Sequence, residues 1–195
     1  MIPVVLLPAR VRLGLVGAGA LGLRRLAALR TGAGDTLTLF TTDPAFADQS
    51  GLAAPTGLPS DQDLGALRLL WVAGVPEPQA RILAARARAL GVLVNVEDVP
   101  ELCDFHAVSE IRRGDLLLTI STGGTAPGLA AALRRWLEAW FPAHWAGRVA
   151  EIAALRRLWR AEGATMPETA RRIDSLLTER GWLPAAPTAK DDPHA

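Results

Sequence analysis

Apolar positions along this chain change their period in a regular order. Val11 to Val16 is a short apolar run closed by glycine, and from Ala20 to Arg30 the apolar residues Leu23, Leu26 and Ala27 recur at helical spacing. Thr36 to Thr41 and Arg68 to Ala73 read as strands, Gln79 to Leu90 as a helix, and Val92 to Val96 as a further strand. Strands that alternate with helices predict an α/β chain whose first half is a doubly wound parallel sheet, because each parallel neighbour needs a helical crossover. Ala45 to Asp63, rich in Gly, Pro, Ser and Asp, reads as a loop with at most a short strand.

The pattern changes near Phe105. Leu116 to Ser121 is a strongly apolar strand, and the helix from Gly128 to Trp140 gathers Leu129, Ala132, Leu133, Trp136, Leu137 and Trp140 on one face, which needs a partner. From His144 onward the pattern is helical, with Val149, Ile152, Leu155, Leu158 and Trp159 as one stripe and Ile173, Leu176 and Leu177 as another, separated by Gly163 and Pro167. These changes divide the chain into a nucleotide-binding domain over 1–108, a small strand-helix region over 109–143, a helical C-terminal region over 144–183 and a polar, proline-containing tail over 184–195 that is expected to be disordered.

Composition narrows the function classes. Half of the 195 residues are hydrophobic, enough for a sizeable core, and 21 Lys plus Arg against 20 Asp plus Glu leave a formal charge of +1. No global field therefore argues for nucleic acid or an anionic membrane as a partner, and a basic patch must be local. Cys103 is the only cysteine, which excludes an intramolecular disulfide and a multi-cysteine zinc site and suits a reducing compartment, with cytoplasm the expected location. The apolar N-terminus lacks a basic leading segment and is interrupted by Pro3, Pro8, Arg10 and Arg12, so it does not read as a signal peptide. No segment reaches the roughly 18 uninterrupted apolar residues of a membrane span.

Three segments carry candidate chemistry. GAGALG, from Gly17 through Ala18, Gly19, Ala20 and Leu21 to Gly22, fits G-x-G-x-x-G between a strand and a helix. Gly17 is expected to permit a tight turn, Gly19 to let backbone approach a pyrophosphate and Gly22 to let helix and sheet pack closely, with helix-start amides facing the anion. An acidic ribose anchor is expected near residues 39 to 41, but Leu39, Phe40 and Thr41 stand there and Asp43 follows slightly late, as ribose anchor or turn residue. STGGTAPG, with Ser121, Thr122, Gly123, Gly124 and Thr125, joins a strand to a helix and offers hydroxyls and amides to an anion, or simply caps the helix. NVEDVPELCDF places Glu97 and Asp98 just past a strand's carboxyl end, where ligands bind in open α/β sheets; either is a candidate proton acceptor or a solvated turn acid.

Together, GAGALGLRR, VLVNVEDVPELCDF and GDLLLTISTGGTAPGLAAALRRWLE resemble the precorrin-2 dehydrogenase and sirohydrochlorin ferrochelatase family, the N-terminal module of siroheme synthases. The resemblance covers about residues 1 to 145, and the two later motifs are more specific than the glycine fingerprint. It implies a homodimer with a Rossmann domain that binds NAD, a dimerisation region contributing Leu116 to Trp140, and a pocket for the tetrapyrrole precorrin-2. The aspartate of N-V-x-D, here Asp98, would be the catalytic residue, receiving a proton while NAD takes hydride to give sirohydrochlorin. Ser121 to Thr125 would contact substrate, and insertion of ferrous iron is a second activity of some members. No resident metal site is expected.

The substrate's many carboxylates call for local cations, and Arg24 with Arg25, Arg112 with Arg113 and Arg134 with Arg135 are the candidate pairs, each also readable as a solvated arginine face. The chain departs from the family where A-T-D-D is replaced by Val72, Ala73, Gly74 and Val75, and where F-I-x-P is replaced by Phe105, His106, Ala107 and Val108. The first departure motivates a competing reading, a noncatalytic nucleotide-sensing or assembly module on the same scaffold. An ordinary small-molecule dehydrogenase is a third reading, which leaves the second glycine loop unexplained. Cys103 and His106 read as structural, and the five tryptophans from Trp136 to Trp182 as core or dimer contacts.

Overall fold

The structure is a computed structural model that describes residues 1–51 and 57–183. By its internal contacts the chain divides into two compact units, Met1–Ala107 with Gly123–Ala126, and Val108–Thr122 with the chain from Pro127.

The first unit holds β1 (Leu13–Gly17), α1 (Gly19–Ala33), β2 (Leu37–Phe40), α2 (Pro44–Ser50), α3 (Asp61–Ala66), β3 (Leu69–Ala73), α4 (Glu77–Ala89) and β4 (Leu93–Val96). The four strands form one parallel sheet in the order β2-β1-β3-β4, with Leu15 beside Leu39 and Trp71, and Trp71 beside Asn95. Successive side chains in a strand face opposite sides, so a sheet covered on both faces needs apolar residues at consecutive positions. β1 and β3 are buried at every position. Leu13, Leu15, Leu37, Leu39, Leu69, Trp71 and Ala73 pack with Leu26 of α1 and Phe46 of α2. Val16, Phe40, Leu70, Val72, Val94 and Val96 pack with Leu64 of α3 and with Ala80, Leu83, Ala84 and Ala87 of α4 on the other face. Each large apolar side chain so buried stabilises the unit by about 1.5–3 kcal/mol in transfer free energy.

Two helices occupy what reads as a loop. α2 starts with Asp43 as cap, its carboxylate accepting from the Ala45 amide at 2.9 Å, and Pro44 in the first turn; its Phe46 is 1% exposed. α3 starts with a reciprocal capping box between Ser60 and Asp63. The Asp, Pro and Ser content that reads as loop chemistry is helix-start chemistry, and each helix is too short for a period to show. Thr41 bridges Gly57 between them, while residues 52–56 of that segment lie outside the described residues.

The second unit contains β5 (Ser109–Arg113) and β6 (Leu116–Ile120), an antiparallel hairpin in which Ile111 faces Leu118, followed by α5 (Pro127–Trp140), α6 (Trp145–Ala161) and α7 (Met166–Glu179). β5 is an addition to the sequence expectation; Arg112 and Arg113 lie within it and precede β6. α5 packs on both strands, yet Leu129, Leu133, Trp136 and Trp140 of its predicted apolar face are exposed. Arg148 lies between the rings of Trp145 and Trp182, 4.8 and 4.9 Å from their centroids, and so ties the start of α6 to the chain after α7. The expected tail over 184–195 lies outside the described residues.

Candidate nucleotide site and acidic turn

The chain runs from β1 outward to β2 and then crosses back to β3, so the strand order reverses between β1 and β3. The loops leaving the carboxyl ends of these two strands diverge, which makes this edge the crevice where open α/β sheets take ligands. Gly17 ends β1, and Ala18 donates to Ala73 O at 3.0 Å, joining the two loops. Gly19 has φ +55 with nothing near its Cβ direction, so left-handed backbone faces open space there. Gly22 packs on the backbone of Gly17 and on Phe46, where an added Cβ would lie 2.9 Å from Cε2. Gly17 ends β1 one residue before α1, a tight turn, and it is crowded by the same ring, so it also allows the close approach of Phe46.

The start of α1 has no side-chain cap and no acid in its first turn. The helix thus brings no carboxylate of its own to its positive end, which is open to anions from elsewhere. Asp43 reaches this loop from the other side: Gly19 donates to its Oδ2 at 2.9 Å while Oδ1 accepts from Ala45. Backbone donation, first from Gly19, holds the Asp43 carboxyl below the usual carboxylate range. The cap of α2 and the glycine loop therefore share one carboxylate, and these residues fit a dinucleotide: a loop that opens on glycine and alanine, an exposed helix start and an acid just past the second strand.

Gly74 answers the departure at 72–75. Its φ is +75, and a Cβ there would run into Ala18 O, so backbone of the β3 loop lies directly on backbone of the glycine loop. Glycine is the one residue that allows both the conformation and the contact. Sequence carried a signal for this in the departure itself, but nothing that said which residue Gly74 touches.

The acidic turn follows β4. Asp98 has φ +62 and is the one non-glycine residue with positive φ among the described residues. Left-handed backbone is uncommon for a residue with a Cβ, and Asp is among the types that tolerate it. The turn is held on all sides: Glu97 donates its amide to Val72 O at 2.9 Å, and the Cys103 thiol donates to Val96 O at 3.2 Å and Val99 O at 3.4 Å. Asn95 donates to Phe105 O at 2.8 Å, and Val94 to Asp104 Oδ2 at 2.9 Å. Burial, with a smaller contribution from Asp104, pushes the Cys103 thiol up, consistent with a packing residue that keeps its proton. The Asp98 side chain is exposed at this edge, and so is His106.

Five of the six candidate arginines have protein partners. Arg24 and Arg25 both reach Glu97, with Arg24 Nη2 at 3.0 Å and Arg25 Nε at 2.8 Å. In the second unit Arg112 forks onto Glu110 at 2.8 and 2.9 Å, Arg113 donates to Phe141 O at 2.6 Å, and Arg134 pairs with Glu138 at 2.7 Å. The structure brings Gly17 to Leu21, Asp43 and Gly74 together and sets Asp98 on the same sheet edge. It divides the second glycine loop, with Ser121 and Thr122 in one unit and Gly123, Gly124 and Thr125 grouped in the other. Among the described residues no group of three or more His, Cys, Asp and Glu could hold a metal ion, and no helix is long and apolar enough to cross a membrane.

The profile of the family described as "Putative NAD(P)-binding" matches residues 4–109. The chain belongs to this NAD(P)-binding family. Its curated relatives include siroheme synthases: that of Azotobacter vinelandii is 36% identical over 156 residues, covering 77% of this chain and 32% of the relative. That of Thioalkalivibrio sulfidiphilus is 33% identical over 171 residues, covering 86% and 33%. The chain thus spans about a third of the length of these relatives. Among solved structures, that of "SirC, precorrin-2 dehydrogenase" superposes with a TM-score of 0.71 at 16% identity, covering 94% of this chain and 93% of that one, a likeness of fold.

Proposed function

We propose that this protein oxidises precorrin-2 to sirohydrochlorin with NAD as hydride acceptor. The observation that carries the reading is Asp98, an exposed carboxylate in left-handed backbone at the sheet edge that also bears the glycine loop. Kinship with siroheme synthases, and a fold shared with a precorrin-2 dehydrogenase, support the substrate class.

The glycine loop and the first amides of α1 would hold the cofactor's pyrophosphate, and Asp43 would accept from the adenosine ribose hydroxyls. A carboxylate there repels a 2′-phosphate, which favours NAD over NADP. When bound, NAD supplies the two-electron acceptor. Asp98 would take the proton released as the macrocycle gives up a hydride, so that the tetrapyrrole would lose two hydrogens and gain a double bond. Ser121 to Thr125, with Arg112 and Arg113, would meet substrate carboxylates, and the apolar face of α5 would pair with a second copy in a cytoplasmic homodimer. Ferrous iron would enter as a substrate of a following step.

Asp98→Asn keeps shape and removes the proton acceptor. It is expected to retain NAD binding and fold and to lose about 100-fold or more of the oxidation rate. Unchanged turnover of that variant would remove Asp98 from the mechanism.

A further inference from the structure

Glu97 precedes Asp98, and its side chain, 10% exposed, runs back to α1. Arg25, 17% exposed, applies both Nε and Nη2 to Glu97 Oε2, while Arg24, 66% exposed, holds Oε1. The glycine loop opens the helix that carries these arginines, and Asp98 is the next residue along the chain from Glu97. We infer that the Arg25–Glu97 fork is a positioning link that sets the Asp98 turn against the cofactor-binding helix, and so fixes the proton acceptor relative to the hydride acceptor. This link deepens the reading above and rests on it.

Three physical features support the link. A two-donor guanidinium contact fixes direction as well as distance, which a single lysine contact does not. The pair is largely shielded from water, unlike the exposed pairs that contribute little. Left-handed backbone at Asp98 persists only where its surroundings determine it, and Glu97 supplies the side-chain tether on the α1 side of that turn. Hydride and proton leave the same substrate, so an error of about 1 Å between the two acceptors costs rate far more than affinity.

The test uses the whole chain and measures kcat, the KM for precorrin-2 and, separately, the Kd for NAD. Glu97→Gln and Arg25→Gln are each expected to lower kcat by about tenfold to a hundredfold, with the NAD Kd and the KM within about twofold of wild type. The double variant is expected to be no worse than the poorer single, because both remove one link. Asp61→Asn, which breaks the exposed Arg86–Asp61 pair, serves as control and should leave all three constants unchanged. If Glu97→Gln does not fold, Arg25→Lys replaces it, keeping the charge while losing the fork. A fall in kcat at constant NAD Kd supports the link, and wild-type kcat overturns it. A folded Glu97→Gln with wild-type kcat, or with a loss that tracks NAD affinity, also overturns it. A wild-type chain without turnover overturns the proposed function and this inference with it, whereas active wild type beside an unaffected variant overturns this inference alone.

Discussion

At the residue scale the informative positions are those where one atom too many would not fit or one proton too few would matter. Gly74 is such a position, since a Cβ would meet Ala18 O. Gly74→Ala is expected to cost about 2 kcal/mol or more, from the left-handed backbone and the collision together. It should also weaken NAD binding at least about tenfold by pushing the glycine loop aside, as a calorimetric titration would read. Cys103 is the opposite case, a thiol held protonated by burial and occupied by two carbonyls. At pH 8 it is expected to react with iodoacetamide far more slowly in the native protein than in urea; equal rates would contradict its placement. The glycine turn between β1 and α1 and the acidic turn after β4 were legible in the sequence because each is written in neighbouring letters. The partner of Glu97 was not, because Arg25 stands 72 positions away and only the fold brings the two together.

Elements were legible where burial imposed a period. β1, β3, α1 and α4 agree with the sequence expectation to within three residues at either end, because buried strands are apolar throughout and their helices carry a stripe. β5 escaped because SEIRR has one apolar residue, Ile111, and its pairing with Leu118 across the hairpin is not a local signal. α2 and α3 escaped because their caps resemble turns. Caps also make stability depend on pH. The carboxyls of Asp63 and Glu168 lie below their ordinary range because they accept from Ser60 and Thr165 respectively, through both backbone and side chain. A depressed folded pKa means that the native state binds fewer protons than the unfolded chain, so this stabilisation is complete above the unfolded value of about 4 and is lost as pH falls through the folded value. Melting temperature is therefore expected to fall between about pH 5 and 3, and Glu168→Gln should flatten part of that fall. An identical slope in wild type and variant would contradict the role of this cap.

At the scale of the whole molecule, one apolar face is left uncovered among the described residues. α5 exposes Trp136 at 60% and Trp140 at 52%, beside Leu129 and Leu133. A contiguous apolar face of this kind marks an association surface, and a second copy in two-fold symmetry is the proposed occupant. Trp136→Glu is expected to shift sedimentation from dimer to monomer while leaving NAD binding intact; an unchanged dimer would place the interface elsewhere. The division of the second glycine loop between two compact units was not legible, since its eight letters read as one continuous motif. On the proposed function, the nucleotide loop and the Asp98 turn act together on one tetrapyrrole. Anaerobic incubation of the purified chain with precorrin-2 and NAD, followed by absorbance, probes that joint action without an intermediary. Sirohydrochlorin and NADH are expected to grow in equal amounts, and Asp98→Asn to abolish most of both. Tight NAD binding without any turnover of precorrin-2 would contradict it.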